Sequence, residues 1–317
     1  MLTQVIDHAG PARRDLTMRI TKALRTHRSG CSAALLVVLL FLSFPVAQAG
    51  DARSRGLLWE ITQPGIPASY LFGTIHSEDP EVLQLAVPVQ MAFDASQDVV
   101  LEVLLDMEAM MLSSTSMLMT DGRSLKEITG GDLFARAAAA MQERGVPEMM
   151  TEHMQPWAVA VTLSMPASAT GQVLDMELYE YALQGGKQVH GLETIQEQLD
   201  VFNTMPLDEQ VLLLKDAVDH FREVDALYTD LLAAWKQRDL ARLVAINETA
   251  MADGDRQFTD RFQRRLVTQR NYLMVERMQP YLKQGKAFVA VGALHLPGEE
   301  GLLNLLEKRG YTVRALY

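Results

Sequence analysis

Short apolar runs that alternate with helical segments constrain the fold of this chain more than any other feature. The clearest run is 287–291 (AFVAV), whose continuous apolar character is typical of a buried strand. Strands are predicted at 57–61, 69–72, 99–103, 187–192, 287–291 and 311–315, and the first two form a hairpin around the turn-rich residues 63–67. This alternation predicts an α/β fold with a mixed central sheet and flanking helices.

The helical pattern is densest in the middle of the chain. Two capping-box spacings, Ser124 with Glu127 and Thr194 with Glu197, each predict a helix start. Further helices are predicted over 79–93, 133–144, 156–165, 175–183 and 299–308, and a long charged helical pattern covers 207–280 with a break near 252–254. These segments predict a large helical insertion beside the sheet.

The first 49 residues have the order of segments found in a cleaved signal peptide. A basic segment (13–28) precedes a short apolar run (33–42, AALLVVLLFL) and the small-x-small site Ala47-Gln48-Ala49, and Met18 is an alternative start. The other interpretation is a membrane anchor, but a spanning helix needs about 20 apolar residues. We therefore expect cleavage after Ala49, a single α/β domain over 50–317 without a stable membrane anchor, and a periplasmic location.

Charge and cysteine content exclude several functions. The chain has a formal net charge of −11, which becomes more negative when the basic leader is removed. Nucleic acids and anionic membranes both favour clustered positive charge, so neither is an expected partner. The one cysteine, Cys31, lies in the leader. Disulfides and thiolate chemistry are therefore excluded from the mature chain, and a metal would be held by His, carboxylate or Met side chains.

Two Gly-x-x-His motifs follow apolar strands near opposite ends of the chain. They are Gly73-Thr74-Ile75-His76 and Gly292-Ala293-Leu294-His295, and each precedes a Pro-containing helix start. Open α/β sheets bind ligands at the carboxyl ends of their strands, and neutral imidazole is the commonest protein ligand for metals. The motifs therefore favour a shared metal site, although two histidines that independently cap or pack at strand ends are the alternative.

Several segments together resemble the TraB/GumN family, which includes the Tiki metalloproteases and is distantly similar to the erythromycin-esterase and ChaN-like groups. The resemblance covers about residues 57–317 and lies in LWEITQPGIPASYLFGTIH, VVLEV, LDMELYEYALQGGKQVHGLET, the pair Arg270-Asn271 and FVAVGALHLPGEEGLLNLLEKRGYTV. It implies an α/β domain and, where activity is known in the family, peptide hydrolysis that depends on Mn²⁺ or Co²⁺. Fold transfers better than function in such a comparison.

The resemblance also assigns residues to a site. It implies that His76, Glu102 and His295 hold the metal, and that Glu193 and Arg270 assist catalysis. Many relatives have a second acid two residues after the strand glutamate, whereas this chain has Leu104 there and its next acid is Asp106. Two His and one carboxylate also suit Zn²⁺ or non-haem iron.

Each of the three polar candidates has a plainer interpretation. Burying Glu102 unpaired would cost several kcal/mol, which metal ligation or pairing with Arg270 would offset, and the plainer interpretation is a strand-end position open to water. Glu193 can interact with the N-terminus of the helix that follows it. Arg270 can be an ordinary helix residue, and its functional roles would be to orient Glu102 or to stabilise negative charge.

Methionines crowd the segment 107–154. Their i, i+3, i+4 spacing favours core packing, with an adaptable apolar groove or a Cu(I) site as the alternatives. No Gly-x-Ser-x-Gly motif and no mature-chain cysteine supplies a covalent nucleophile, so a metal-activated water is expected if the chain is an enzyme. Together with what the family resemblance implies, this leads us to expect a metal-dependent hydrolase of peptides or proteins in the cell envelope. The alternative is a non-catalytic envelope protein that carries haem or metal.

Overall fold

The computed structural model describes residues 53–168, 170–251 and 256–317. The predicted signal peptide and its cleavage site lie outside these residues. Within them, none of the helices is both long enough and apolar enough to span a membrane.

Six strands in the described residues form one mixed sheet, as predicted. They are β1 (Leu58–Gln63), β2 (Ile66–Thr74), β3 (Asp98–Val103), β4 (Gln188–Glu193), β5 (Ala287–Gly292) and β6 (Thr312–Ala315). Their order across the sheet is β4-β3-β5-β2-β1-β6. The first four strands in that order run parallel, whereas β1 is antiparallel to both β2 and β6. β5, predicted from its continuous apolar run, is buried along its whole length.

The register of the parallel strands brings their carboxyl ends to one edge. Val103 of β3 lies opposite Glu193 of β4, and Thr74 of β2 lies opposite Gly292 of β5. Because all four strands end at this edge, side chains just inside or beyond the ends meet there. The two Gly-x-x-His motifs, which are distant in sequence, therefore lie on adjacent strands.

Helices pack on the sheet, and helices also make up the segment inserted after β3. They are α1 (Pro80–Leu83), α2 (Val87–Ala95), α3 (Met107–Ser116), α4 (Leu125–Thr129), α5 (Gly131–Glu143), α6 (Glu148–Thr151), α7 (Pro156–Leu163), α8 (Leu174–Gln184), α9 (Ile195–Asn203), α10 (Leu207–Asp219), α11 (Val224–Lys236), α12 (Leu240–Met251), α13 (Arg256–Gln263), α14 (Gln269–Gln284) and α15 (Leu302–Lys308). Both predicted capping boxes are formed.

One helix that was predicted to be continuous is interrupted. The segment 79–93 forms two helices, α1 and α2, because Pro88 lies in its middle. A proline lacks the N–H that a helix interior needs, and in a continuous helix its ring clashes with the carbonyl of the residue four positions before it. Pro88 is therefore accommodated in the first turn of a new helix, and Gln84 before it is extended.

The buried apolar side chains form two clusters. The larger one packs on the sheet and includes Leu71, Phe72 and Phe288. The second lies among the helices inserted after β3 and after β4, and it includes Phe134, Trp157 and residues of α10 and α13. This second cluster confirms the predicted helical insertion, which has apolar contacts of its own.

The core-packing prediction for the methionines is wrong for most of the segment 107–154. Met154 is buried, but Met107, Met111 and Met149 are 70%, 65% and 76% exposed. On α3 the side chains that face the protein are Ala109 and Leu112, which lie on the opposite side of the helix from the methionines. The spacing therefore identifies a real helical stripe, but this stripe faces solvent.

Candidate active site

The two Gly-x-x-His motifs contact each other directly at the sheet edge. A Cβ atom on Gly73 would lie 2.8 Å from Leu296 Cδ1 and 3.0 Å from the Cα of Ala293. These distances are shorter than ordinary carbon contacts, so only glycine permits this approach. The turn that carries His295 is thus packed against the end of the strand that leads to His76.

His295 lies in a 3₁₀ turn, Ala293–His295, and is completely buried. Its Nδ1 atom lies 2.6 Å from Asn271 Oδ1. The Asn271 amide nitrogen donates to the carbonyl of Glu300 at 2.7 Å, which orients the amide so that its oxygen faces the imidazole. An amide oxygen only accepts, so the proton of the neutral ring is on Nδ1 and Nε2 carries the lone pair.

The Nε2 atom of His295 is buried, and within the described residues it has no hydrogen-bond partner. It lies 3.9 Å from Oε2 of Glu102. Burial lowers the pKa of His295 to about 4, because the nearby Glu102 charge only partly offsets the loss of solvent. The lone pair of this neutral imidazole is buried beside a carboxylate oxygen, and a cation bound between them would be a partner for both atoms.

His76 follows the neighbouring strand β2, and it is held by a different partner, Asp175 of α8. Its Nδ1 atom lies 2.8 Å from Asp175 Oδ2, and the other oxygen of Asp175 accepts from the Thr74 hydroxyl at 2.9 Å. Burial lowers the pKa of His76, but the charge and hydrogen bond of Asp175 more than offset this and raise it to about 9. The Glu102 carboxylate also favours the protonated form of His76. The side chain is 38% exposed, so solvent reaches this histidine but not His295.

Arg270 joins the two glutamates. Its Nη2 atom donates to Glu102 Oε1 and, at 2.6 Å, to Glu193 Oε2, while its Nε donates to Glu193 Oε1 at 2.9 Å. Gln198 donates to both carboxylates, at 3.1 and 3.2 Å. The second oxygen of Glu102 accepts from the backbone N–H of Gly292 at 3.1 Å. Glu102 is therefore paired with Arg270, and the water-exposed alternative is not what the structure shows.

A π-helical turn positions Arg270. Residues Arg264–Thr268 form this turn immediately before α14, and the N–H of Gln269 bonds to the carbonyl of Arg264. The carbonyl of Leu266 accepts from Arg270 Nη1 at 2.9 Å, so the turn fixes the guanidinium against its own backbone. Single π-helical turns within α-helices are frequent at functional sites.

The two glutamates that share the Arg270 guanidinium have pKa values shifted in opposite directions. Burial alone would raise the pKa of Glu102, but the Arg270 charge outweighs it and lowers the value to about 2. Burial raises the pKa of Glu193 despite the hydrogen bonds from Arg270, and the adjacent Glu102 charge acts in the same direction. Glu102 is thus a permanent carboxylate, and Glu193 is the better proton acceptor.

A cavity of about 240 Å³ adjoins the Glu193–Arg270 pair between α9 and α14. Its other lining residues include Asp200, Val201 and Arg265. The cavity gives a small molecule or side chain access to this end of the site.

The structure brings the five predicted residues to one sheet edge but does not place three metal ligands around one point. Among the described residues, no three His, Cys, Asp or Glu side chains are grouped closely enough to hold an ion. Glu102 and His295 are adjacent, whereas His76 is paired with Asp175. The donor types and the buried Nε2 of His295 fit a divalent cation. Asp106, the one nearby acid after β3, instead accepts from the N–H of Ala109 and caps α3.

Sequence reasoning missed the partners that orient the histidines. Asp175 and Asn271 stand within the segments that carry the family resemblance, but neither received a role. Asp175 lies on the buried face of α8 between Leu174 and Leu178, and an acid on an apolar helix face is the signal that could have found it. For Asn271 the adjacent Arg270 was the only sequence cue.

The chain is similar to known proteins along nearly the whole of its described length. Residues 57–315 match the model of the TraB/PrgY/gumN family. Similar curated proteins include a metalloprotease TIKI homolog from Nematostella vectensis (23% identical, covering 86% of this chain and 70% of that protein) and metalloprotease TIKI2 from Danio rerio (25% identical, covering 85% and 62%).

Metalloprotease TIKI1 from Danio rerio is 24% identical over 82% of this chain, which spans 63% of that relative. The chain thus covers less than two thirds of both Danio rerio relatives. No solved structure matches the chain. Because the family match extends over nearly all of the described residues, from the first strand to the last, the chain belongs to the TraB/PrgY/gumN family.

Proposed function

We propose that this protein is a metal-dependent hydrolase of peptides or proteins that acts in the cell envelope. The observation that carries the proposal is the buried, unpartnered Nε2 lone pair of His295 beside the Glu102 carboxylate. The similarity to proteins named metalloprotease supports the same reaction class.

His295, Glu102 and His76 would hold the ion. Asn271 and Asp175 fix the two imidazole rings through Nδ1, so that each ring presents Nε2. A bound divalent ion such as Mn²⁺ or Co²⁺ would lower the pKa of its water and polarise the scissile carbonyl.

The remaining roles belong to Glu193 and Arg270. Oε1 of Glu193 accepts one bond from Arg270, whereas Oε2 accepts from both Arg270 and Gln198, so Oε1 is the better site for a transferred proton. The raised pKa of Glu193 suits this acceptor role. Arg270 keeps Glu102 ionised and stabilises negative charge that develops on the substrate.

The test is turnover of a peptide library by the purified protein with Mn²⁺ or Co²⁺, together with its metal content. We expect cleavage that is abolished by a chelator and by Glu193→Gln, with bound metal retained in that variant. His295→Ala should lose metal, whereas His153→Ala, an exposed histidine outside the site, should not. Stoichiometric ligand binding without turnover would favour the carrier alternative, and unchanged metal content in His295→Ala would contradict the site itself.

A further inference from the structure

Five exposed methionines lie on two helices that are linked to each other, and we call them the methionine surface. Met107, Met110 and Met111 lie on α3 and are 70%, 43% and 65% exposed. Met149 and Met150 lie on α6 and are 76% and 57% exposed. Clustered exposed apolar side chains on a folded protein mark interaction sites more often than single ones do.

Backbone hydrogen bonds join the ends of the two helices. The N–H of Met119 donates to the carbonyl of His153, and the N–H of Gln155 donates to the carbonyl of Met117, both at 2.8 Å. Between them Leu118, itself 41% exposed, forms an isolated bridge with Met154. The link fixes α3 and α6 relative to each other, so that the two sets of methionines belong to one rigid surface.

The surroundings of the methionine surface are acidic. Neither 56–122 nor 145–186 contains a Lys or Arg, and Asp106, Glu108, Glu148 and Glu152 lie next to the methionines in sequence. The helix α9, which packs against α3, also lacks basic residues. An apolar stripe whose sequence neighbours include these four carboxylates is complementary to a segment that carries apolar and positively charged side chains together.

We propose that the methionine surface binds a cationic, amphipathic segment of another polypeptide. Methionine is unbranched and polarisable, so a methionine-rich surface adapts to apolar side chains of different shapes. The carboxylates around it attract Lys and Arg, which also cover apolar surface with their aliphatic stems. The same carboxylates oppose binding to an anionic membrane, which attracts basic segments.

This binding does not depend on hydrolysis or on a metal. The surface is nevertheless close to the candidate site in the chain, because α3 begins directly after β3, which carries Glu102. A segment of a partner polypeptide bound along α3 therefore lies near the strand ends.

The experiment is fluorescence anisotropy of the purified protein with a labelled helical peptide of Leu and Lys that has one apolar face. We expect saturable binding that weakens at least about tenfold in the triple variant Met107→Gln, Met110→Gln, Met111→Gln, because apolar anchors dominate such interfaces. The matched control is Leu183→Gln with Leu212→Gln, two exposed leucines on other helices, which should bind like wild type. All of these side chains are exposed, so the variants should fold, as circular dichroism would verify.

Charge and site variants separate the remaining explanations. The variant Glu108→Gln, Glu148→Gln, Glu152→Gln should bind more weakly and with less dependence on salt. His295→Ala should bind the peptide normally, which distinguishes this surface from the proposed metal site.

Three results would overturn the proposal. The first is equal loss of binding in the leucine control, and the second is equal affinity for a peptide with Glu in place of Lys. The third is co-sedimentation with neutral or anionic lipid vesicles that the methionine triple variant abolishes, since this would assign the surface to a membrane.

Discussion

At the scale of single residues, the site contrasts two histidines that the sequence presents in matching motifs. His295 is buried, neutral and oriented by an amide, whereas His76 is partly exposed and oriented by a carboxylate. The Asn271 amide oxygen accepts from the neutral ring of His295, whereas the Asp175 carboxylate favours addition of a second proton to the ring of His76. Although the two motifs match, their imidazoles therefore differ in charge and in exposure to solvent.

Metal binding should depend on pH through His76. Its pKa of about 9 means that the ring is protonated at pH 7 and must release a proton before Nε2 can bind an ion. We expect affinity for Mn²⁺ to rise up to about tenfold per pH unit from pH 7 to 9 and then to level off. Calorimetric titrations in buffers of different ionisation enthalpy would measure the released proton. A His76→Ala variant that keeps the full pH dependence would contradict this assignment.

Arg270 should be essential for stability as well as for function. Arg270→Met leaves Glu102 and Glu193 buried without their counter-ion, which we expect to cost about 3–5 kcal/mol in the free energy of unfolding at pH 7. The control Arg314→Met removes an exposed pair with Glu60 and should cost less than about 1 kcal/mol. Urea unfolding would compare the two.

The effect of Arg270→Met should shrink in acid. The folded-state pKa of Glu102 is depressed to about 2. Its stabilising contribution is therefore present above its ordinary pKa of about 4.5 and is lost as the pH falls towards 2. A difference between wild type and variant that stays constant from pH 7 to pH 3 would mean that the carboxylates are not its source.

The sequence could predict that the five candidate residues lie near one sheet edge, because four of them stand at or just beyond strand ends and Arg270 stands in a helical segment that carries the family resemblance. Their partners could not be predicted in the same way. Asp175 lies about a hundred residues from His76, and only the packing of α8 against the strand ends brings the two together. The sequence likewise indicated that Glu102 needs a positively charged partner, but not that Glu193 binds the same arginine.

At the scale of secondary structure elements, periodicity predicted the presence of elements better than their limits or their buried faces. All six predicted strands and both capping boxes are present. The helix over 79–93 is divided at Pro88, a local effect that was readable in the sequence. The exposure of the α3 methionines was not readable, because Ala109 and Leu112 provide an equally regular stripe on the opposite face.

The contact between β2 and the turn after β5 gives a prediction at this scale. Gly73→Ala places a methyl group against Leu296 and the backbone of Ala293, so we expect it to cost about 1–3 kcal/mol. It should also separate the two histidine motifs and weaken metal binding. The matched control is Gly131→Ala at the start of α5, where nothing lies within 4 Å, and this change should be neutral or stabilising by up to about 1 kcal/mol.

Thermal unfolding and metal titration of both variants would check these expectations. Equal stability of Gly73→Ala and Gly131→Ala would show that the close approach of the two motifs is not required.

At the scale of the whole molecule, the sheet order gives β5 a special position. It is the fifth strand in the chain, yet it lies between β3 and β2 and pairs with both. β6, by contrast, lies at the edge of the sheet, and within the part of the chain that the structure describes it pairs only with β1.

Two truncations would test the importance of this order. A chain that ends at Gly285 lacks β5, and we expect it to lose cooperative unfolding because β2 and β3 can no longer join. A chain that ends at Arg309 lacks only the edge strand β6, and it should still unfold cooperatively at a lower temperature. Calorimetry and near-ultraviolet circular dichroism would distinguish the two. Cooperative unfolding of the shorter chain would show that the remaining strands form a stable unit alone.

The central position of a late strand also governs when activity can first appear during synthesis. The ribosome makes His76, Glu102 and Glu193 long before His295. Strand β5, which pairs with both β2 and β3, is also made after most of the helices. A nascent or prematurely terminated chain therefore has no assembled site. If the proposed hydrolysis is correct, the topology itself delays it until β5 and His295 have been synthesised.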